Sequence, residues 1–365
     1  MKYFILAGEK SGDLHGSNLI REIKLIDPNA IIKGWGGDYM KNQGAEILIH
    51  HTELAIMGLL GVIQNLNKLK GLFSKFGNQI SAFKPDTVIF IDYGGFNLKA
   101  ARIAKIKGFH TQFYIAPKVW AWNKGRIEDI KKWVDQLYVI FPFEEIMFHE
   151  RGISTHYVGN PLQDSVAQFQ AQNSPTDWNH PLPFVALLPG SRKQEIKAAI
   201  PIFKKLVADN PQTNFLIAGV SEWSELIKQS GLTYILDDTY RTLSKAKAAI
   251  VTSGTATLET ALLKIPQIVV YKTDWLFYSL AKLLVKVKYI SLINIILNRK
   301  AVPELIQTAF SSEHISEHLT PLLVDNDPTR LKQIRDYEDL QEIIGTEGAS
   351  KKTAELIVHY TRSAK

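Results

Sequence analysis

Two carboxylates follow apolar runs of the sequence at positions that a ligand could reach. Glu9 comes directly after the first apolar run of the chain, and Asp92 ends the run 87–91. A carboxylate at the carboxyl end of a buried strand can take a proton from a hydroxyl or bind sugar hydroxyls. Asp92 is therefore the candidate general base, and Glu9 is its rival. The structural alternative is helix capping, by Asp92 in the second loop and by Ser11 or Asp13 in the first.

Two loops in the second half of the chain have the composition of anion-binding turns. Each places glycine and hydroxyl residues between an apolar run and a predicted helix. The residues concerned are Ser191 and Arg192 in the first loop, and Ser253, Gly254 and Thr255 in the second. Backbone N–H groups at a helix N-terminus and an arginine both favour phosphate. Two such loops in one domain suit a nucleoside diphosphate, and Glu259, one turn into the second helix, could bind ribose hydroxyls.

The segment 117–126 combines aromatic rings with cations. It contains Trp120 and Trp122 together with Lys118 and Arg126. Aromatic faces suit sugar rings and acyl chains, whereas the cations suit phosphate. We expect an acceptor-side or lipid-side surface here, although core packing of at least one tryptophan is the alternative.

Metal ligands are not indicated by the sequence. The ten histidines include no His-Glu-x-x-His pattern, and there are no cysteines. The one Asp-x-Asp pattern, Asp325-Asn326-Asp327, stands before Pro328, which favours a turn at the end of a helix. We predict neither a metal site nor a cofactor, so cations and helix N-termini must stabilise any leaving diphosphate.

Short β-rich runs alternate with helical patterns along the chain, which predicts parallel sheets flanked by helices. The predicted strands are 3–7, 31–34, 87–91, 111–114 and 136–139 in the first half, and 184–188, 214–218, 234–236, 249–251 and 267–270 in the second. The polar, proline-rich segment 171–183 separates the two sets as a linker would. The fold class that we predict is α/β, with two Rossmann-like, doubly wound parallel-sheet domains at 1–170 and 184–335, and helix in the last thirty residues.

Composition and charge narrow the classes of function. The 365 residues carry a formal net charge of +7, and 45% of them are hydrophobic. The segments 57–76 and 276–289 combine apolar residues at helical spacing with lysines and no acidic residue, the pattern of a helix at an anionic membrane surface or of an ordinary packed helix. The first eight residues have the pattern of a buried strand rather than of a signal peptide. Nucleic acid is not expected as a partner, because the lysines are interleaved with leucines and no nucleic-acid motif occurs.

The order of these loops resembles the lipid-A-disaccharide synthases, GT-B glycosyltransferases of family 19. The matching segments are 7–13, 34–37, 84–92, 117–122, 141–144, 187–192, 253–259, 289–294 and 302–307. The resemblance covers nearly the whole chain, from residue 1 to about 340. Nine segments in register are highly specific, although no single one is decisive.

The resemblance implies a reaction and a placement of residues. The family transfers diacylglucosamine from UDP-2,3-diacylglucosamine to the 6-hydroxyl of 2,3-diacylglucosamine 1-phosphate, with inversion, and forms a β-1,6 disaccharide and UDP. It further implies a cleft between the two domains and a donor site lined by three more residues, Asn294, Glu304 and Gln307. Ser11 is grouped with the residues of 117–126 on the acceptor or lipid side. The expected location is cytoplasmic, peripheral on the inner membrane of a Gram-negative bacterium.

The C-terminal helix of this family takes part in dimer exchange. Residues 336–365 are therefore expected to pack back on an N-terminal domain, either their own or that of a partner in a homodimer. One departure from the family pattern concerns the candidate base. Members often carry Ile-Asp-x-Pro-Asp-Phe-Asn, whereas this chain has Gly94 and Gly95 in place of the Pro-Asp pair, so a second carboxylate is missing here.

Other functions remain open at the level of sequence. Another GT-B transferase acting on a lipid-linked sugar would share the anion loops, and a non-hydrolysing sugar-nucleotide epimerase would share the fold. A non-enzymatic two-lobed binding protein is a third class. The segments 7–13 and 117–122 argue for the disaccharide synthase among these alternatives.

Overall fold

The computed structural model describes residues 1–54, 66–119, 125–172, 178, 180–181, 183–273 and 288–364. The chain forms two compact units, each with its own parallel sheet. Unit 1 contains Met1–Asp164 and Glu347–Lys365, and unit 2 contains Ser165–Thr346.

The sheet of unit 1 has seven strands in the order β3-β2-β1-β4-β5-β6-β7, and every neighbouring pair is parallel. Its strands are β1 (Lys2–Ala7), β2 (Ile31–Gly36), β3 (Glu46–His50), β4 (Thr87–Ile91), β5 (His110–Tyr114), β6 (Gln136–Val139) and β7 (Thr155–Tyr157). The direction of strand addition reverses between β1 and β4, which makes their carboxyl ends a topological switch point.

The sheet of unit 2 has six strands in the order β10-β9-β8-β11-β12-β13, again all parallel. Its strands are β8 (Phe184–Leu188), β9 (Asn214–Gly219), β10 (Tyr234–Leu236), β11 (Ala248–Thr252), β12 (Gln267–Tyr271) and β13 (Glu304–Ile306). The corresponding switch point lies between β8 and β11.

Helices connect the strands. In unit 1 and at its boundary they are α1 (Lys10–Ile26), α2 (Asp38–Asn42), α3 (Leu66–Phe83), α4 (Gly94–Ile106), α5 (Gly125–Trp133), α6 (Pro142–His149) and α7 (Pro161–Gln172). The others are α8 (Lys193–Asp209), α9 (Ser224–Lys228), α10 (Thr239–Lys245), α11 (Thr255–Leu262), α12 (Leu292–Leu297), α13 (Ser312–Leu323), α14 (Pro328–Ile344) and α15 (Ala349–Ser363).

Both faces of the first sheet are covered, as a doubly wound fold requires. Successive side chains of β1 belong to different apolar clusters, with Phe4 and Leu6 in one and Tyr3 and Ile5 in the other. Strand residues alternate between faces, so continuous burial of β1 follows from helices on both sides. The second sheet also has an apolar cluster on each face. The predicted α/β class with two parallel-sheet domains is confirmed.

The C-terminal helix α15 belongs to unit 1 of its own chain. Its apolar residues Ala354, Ile357 and Val358 lie in the same buried cluster as Leu19 and Ile23 of α1. Hydrophobic burial between α1 and α15 therefore holds the end of the chain against the first sheet.

The strands predicted from the sequence are all present, with boundaries shifted by at most two residues, and the described residues contain three further strands. These are β3, β7 and β13. All three lie at an edge of a sheet. Strands β7 and β13 are only three residues long, and β13 directly follows Pro303. Short edge strands with one polar face have little of the apolar signal that marks a buried strand.

Candidate functional site

The loop that follows β4 has an unusual backbone. Asp92 and Tyr93 are consecutive non-glycine residues with positive φ angles of 46° and 50°. Such conformations cost free energy and persist only where the surrounding structure holds them, which is common at functional sites. The strained pair lies at the carboxyl edge of the first sheet, at the switch point between β1 and β4.

Asn97 holds this loop in place. Its side chain is fully buried, and Nδ2 donates hydrogen bonds to the carbonyl oxygens of Ile91 at 3.1 Å and Asp92 at 2.7 Å. The backbone N–H of Asp92 donates to the carbonyl oxygen of Tyr114 on the neighbouring strand at 2.9 Å. The Asp92 backbone is thus fixed on both sides. Asn97 was not among the site residues predicted from the sequence, although an asparagine five residues after a candidate base is a signal of such a role.

The electrostatic environment makes Asp92 more basic than an ordinary aspartate. Burial raises the pKa of its carboxyl, and this effect outweighs the Lys118 ammonium and the Tyr93 N–H, which lower it. A carboxyl with a raised pKa is a better proton acceptor once it is ionised. The structural alternative for Asp92 is wrong, because α4 begins at Gly94 and its N-cap residue is Tyr93.

Glu9 lies on the neighbouring loop, after β1. Its charge raises the pKa of the Tyr93 hydroxyl, although burial of that ring is the larger cause. A Cβ atom at Gly8 would lie 2.2 Å from Cδ1 of Tyr93, so only glycine allows the ring to pack against this loop. Glu9, Tyr93 and Asp92 therefore converge at the switch point.

The helix-cap alternative for the first loop is also wrong. Helix α1 begins at Lys10 with Glu9 as N-cap residue, and Ser11 is exposed in its first turn. Asp13 instead is buried and accepts hydrogen bonds from the backbone N–H groups of Gly37 at 2.7 Å, Tyr39 at 3.0 Å and Met40 at 3.1 Å. It fixes the turn after β2, so its role in the described structure is positional.

The loop after β8 is folded around an internal anion. Glu195 accepts hydrogen bonds from the N–H groups of Ser191 and Arg192, each at 3.2 Å, and from Nη1 of Arg192 at 3.1 Å. Gly190 has a φ of +101°, and a Cβ atom there would lie 2.4 Å from the same carboxylate. The two amides that the sequence assigned to phosphate thus already have an acceptor. The Arg192 side chain remains 81% exposed.

The loop after β11 lies on the other side of the switch point between β8 and β11. Gly254 and Thr255 are exposed at the start of α11, where the N–H groups of a first helical turn point outward. The hydroxyl of Ser253 donates to the carbonyl oxygen of Ile290 at 3.0 Å. Ser253 therefore connects this loop to the segment before α12.

Glu304 organises that segment. Its carboxylate accepts hydrogen bonds from the N–H groups of Ile290 and Ser291, from the Ser291 hydroxyl at 2.8 Å, and from Nδ2 of Asn294 at 2.9 Å. Asn294 is fully buried and also accepts from the N–H of Val302 at 3.0 Å. Three residues predicted at the donor site, Ser253, Asn294 and Glu304, thus belong to one hydrogen-bonded network.

Gln307 and Glu259 have local partners of their own. The amide of Gln307 accepts from the Thr273 N–H at 2.9 Å and donates to the Thr273 carbonyl at 3.1 Å. Glu259 accepts a hydrogen bond from the Tyr240 hydroxyl at 2.6 Å. Burial raises the pKa of Glu259, and the Tyr240 hydroxyl lowers it. Tyr240 was not selected from the sequence, because a tyrosine nineteen residues away carries no local signal.

Several predicted sites are outside the described residues. Trp120 and Trp122 are among them, as are 57–65 and 276–287 of the two lysine-containing segments. Lys118 is exposed and Arg126 is partly buried. In the described part of α3, Leu72, Phe76 and Ile80 pack into the core. This part is an ordinary packed helix on one face, with lysines on the other.

The Asp-x-Asp pattern has a structural role, as its sequence context indicated. Asp327 accepts a hydrogen bond from the N–H of Thr329 at 2.7 Å and caps α14, while Asp325 pairs with Lys247. Within the described ranges no group of three or more histidine, aspartate or glutamate side chains could hold a metal ion. None of the helices that the structure describes is both long and apolar enough to cross a membrane.

Comparisons with known proteins agree on one family. The family model described as lipid-A-disaccharide synthetase matches residues 3–358. The chain is 36% identical to the lipid-A-disaccharide synthase of Syntrophus aciditrophicus, over 96% of this chain and 95% of that protein. It is 35% identical to lipid-A-disaccharide synthase 1 of Legionella pneumophila, with 97% and 96% covered.

Solved structures share the fold at much lower identity. The UDP-GlcNAc 2-epimerase from Neisseria meningitidis, bound to UDP-GlcNAc, has a TM-score of 0.65 and 13% sequence identity. The match covers 100% of this chain and 100% of that chain. The glycotransferase of kitacinnamycin has a TM-score of 0.67 and 12% identity, with 98% of each chain covered. At these identities the likeness concerns the GT-B type of fold alone.

Proposed function

The chain belongs to the lipid-A-disaccharide synthetase family, and we propose that its residues carry out the reaction for which that family is named. It is an inverting glycosyltransferase that joins UDP-2,3-diacylglucosamine to 2,3-diacylglucosamine 1-phosphate. The products are the β-1,6 lipid A disaccharide 1-phosphate and UDP. Neither another transferase for lipid-linked sugars nor an epimerase is favoured, because relatives that match nearly the whole chain are named as disaccharide synthases.

Asp92 is the general base in this proposal. It takes the proton of the acceptor 6-hydroxyl while that oxygen attacks the anomeric carbon and UDP leaves from the opposite face. The observation that carries the assignment is the environment of Asp92, a strained backbone at the switch point and a carboxyl whose pKa burial raises. Glu9, on the adjacent loop, supplies negative charge near the oxocarbenium-like centre and is the alternative base.

The loops of unit 2 bind the donor. Arg192 and the start of α11 at Gly254 and Thr255 stabilise the diphosphate, because they offer a guanidinium and outward N–H groups. Glu259 binds the ribose. Ser191 lies beside Arg192 in the same loop, and its backbone N–H is donated to Glu195.

Three further residues hold the donor site together. Asn294 and Glu304 fix the segment next to Ser253, and Gln307 fixes the chain after β12. No step of this proposal needs a metal ion or a cofactor.

The acceptor and the membrane belong to unit 1. We assign Lys118, Arg126 and Ser11, together with Trp120 and Trp122, to the acceptor or lipid side. The lysine face of α3 supports peripheral binding at the inner leaflet of the inner membrane of a Gram-negative bacterium, since Lys68, Lys70 and Lys75 are exposed. A homodimer through the C-terminal region remains part of the proposal, and light scattering of the purified protein tests it.

The experiment is a turnover assay with both dispersed substrates and excess chelator. Wild type, Asp92→Asn, Glu9→Gln and the control Asp86→Asn are compared by UDP release and by the lipid product. Asp86 stands directly before β4, at the opposite end of the strand from Asp92. We expect turnover with the chelator, its collapse in Asp92→Asn and little change in the control.

The pH dependence adds a second readout. The base works only when ionised, so kcat/KM should fall as the pH drops through the raised pKa of Asp92. Asp92→Asn should abolish this fall of kcat/KM at low pH together with most of the rate. Full turnover in Asp92→Asn and its loss in Glu9→Gln would move the base to Glu9. No turnover by the wild type would refute the substrate assignment.

A further inference from the structure

Tyr240 and Glu259 form a pair at the carboxyl edge of the second sheet. Tyr240 is the second residue of α10, which follows β10, and Glu259 lies one turn into α11, which follows β11. The hydroxyl of Tyr240 donates to Oε1 of Glu259 at 2.6 Å. This distance is that of a charge-assisted O–H···O⁻ hydrogen bond, about twice as strong as a neutral one.

The electrostatic environment favours one arrangement of the pair, in which the Tyr240 hydroxyl donates and the Glu259 carboxylate accepts. Burial, and secondly the Glu259 charge, raise the pKa of the Tyr240 hydroxyl far above its usual range, so the hydroxyl stays a donor. Burial raises the pKa of Glu259, and the hydroxyl of Tyr240 counteracts that rise. Oε1 is engaged by Tyr240, whereas Oε2 makes no hydrogen bond within the described part of the chain.

Two residues of α7 contact Tyr240 and hold it in place. Its ring packs edge-to-face on Phe169, with ring centroids 5.6 Å apart and an interplanar angle of 70°. The hydroxyl of Ser165 donates to the Tyr240 oxygen and thereby lowers the Tyr240 pKa against the larger effects. All four residues belong to unit 2. Tyr240 therefore fixes the direction of the Glu259 carboxylate and favours its ionised form.

We propose that Tyr240 is a positioning residue that aims the Glu259 carboxylate at the donor ribose and so sets the preference for a ribonucleotide donor. The inference rests on the proposed role of Glu259 as ribose ligand. A partly buried carboxylate with one oxygen held and one open rejects a sugar that lacks the matching hydroxyl, because the carboxylate would then remain unpaired. Without Tyr240 the carboxylate is free to rotate and more readily protonated, and the discrimination falls.

The test uses UDP, 2′-deoxy-UDP and 3′-deoxy-UDP as probes in calorimetric titrations of the whole protein. Wild type is expected to bind UDP tenfold or more tightly than at least one deoxy analogue, on the order of the loss of one charged hydrogen bond. Tyr240→Phe should weaken UDP about tenfold and leave that analogue nearly unchanged, so the preference collapses. With the full donor, KM should rise while kcat changes little.

A pH series separates positioning from packing. Tyr240→Phe removes the hydrogen bond that lowers the Glu259 pKa, so UDP affinity should begin to fall at a higher pH than in wild type. The control Phe169→Leu keeps the hydroxyl and removes the ring contact. A packing role predicts that this control weakens UDP at least as much and leaves the pH dependence unchanged.

Each failure has a distinct signature. If Glu259→Gln weakens UDP but Tyr240→Phe changes neither its affinity nor its pH dependence, the positioning role is overturned and the ribose role of Glu259 stands. If Glu259→Gln weakens UDP and both deoxy analogues equally, or none of them, the ribose assignment itself is wrong. Thermal unfolding of each variant verifies that it is folded.

Discussion

Replacing Asn97 by aspartate tests whether the candidate base is held by its neighbour. The two side chains have nearly the same shape, but the amide nitrogen becomes a carboxylate oxygen. That oxygen would face the carbonyl oxygens of Ile91 and Asp92, which now accept hydrogen bonds at 3.1 and 2.7 Å. The other oxygen gains no partner, because Oδ1 of Asn97 is buried without a hydrogen bond in the described structure.

The size of the effect follows from these contacts. The lost hydrogen bonds of Nδ2, which include a longer one of 3.4 Å to the Leu6 carbonyl oxygen, reduce the free energy of unfolding by about 1–3 kcal/mol. A buried carboxylate without a donor brings the total to about 3–5 kcal/mol. The rate should suffer as well, since a displacement of about 1 Å at a reacting group can lower it about a hundredfold. At lower pH the new carboxyl protonates and can donate one hydrogen bond again, so the loss of stability should shrink.

Urea unfolding at two pH values and steady-state turnover measure these effects. Asn78→Asp is the matched control, because Asn78 is exposed on α3 and the same change of charge should have little effect there. An Asn97→Asp variant with normal turnover would show that Asn97 does not position Asp92. A loss of stability below about 1 kcal/mol would refute the hydrogen-bond argument.

Three more changes test other parts of the structure. Gly8→Ala places a Cβ 2.2 Å from Cδ1 of Tyr93, so urea unfolding should show a loss of about 1–3 kcal/mol, and turnover should fall. Glu304→Ala leaves several donors unpaired, so stability should fall by about 2–4 kcal/mol and UDP should bind more weakly in titrations, with Glu304→Gln intermediate. Burial lowers the pKa of His15 to about 4 against 6.5 for an exposed histidine, so the unfolded chain takes up the proton first. The free energy of unfolding should therefore fall by on the order of 2 kcal/mol as the pH drops from 6.5 to 4, and His15→Asn should remove that slope.

The fold was largely accessible from the sequence because buried parallel strands have a strong local signal. Strand β4 is five apolar or β-branched residues, all buried, and its position follows from composition alone. Strand β13 has no such signal, since Glu304 faces a hydrogen-bonded network and Pro303 precedes it. What makes it a strand is pairing with β12, a contact between distant segments.

The candidate site was accessible only in part. Asp92 could be selected because a carboxylate ends a buried strand. The partner of Glu259 could not, since Tyr240 is nineteen residues away along the chain and meets Glu259 only in the folded structure. Glu195 is a further contact that the sequence did not predict, since its carboxylate accepts hydrogen bonds from the backbone N–H groups of Ser191 and Arg192.

By itself the sequence determined the buried strands, the glycines and carboxylates that follow them, and the family to which the chain belongs, because each is written in short stretches of residues. Tertiary structure alone decided the order of the strands. That order puts the loop after β1 beside the loop after β4, and the loop after β8 beside the loop after β11. Residues more than sixty positions apart thus meet at two switch points, because hydrogen bonds between parallel strands, and not proximity along the chain, determine which carboxyl ends are neighbours.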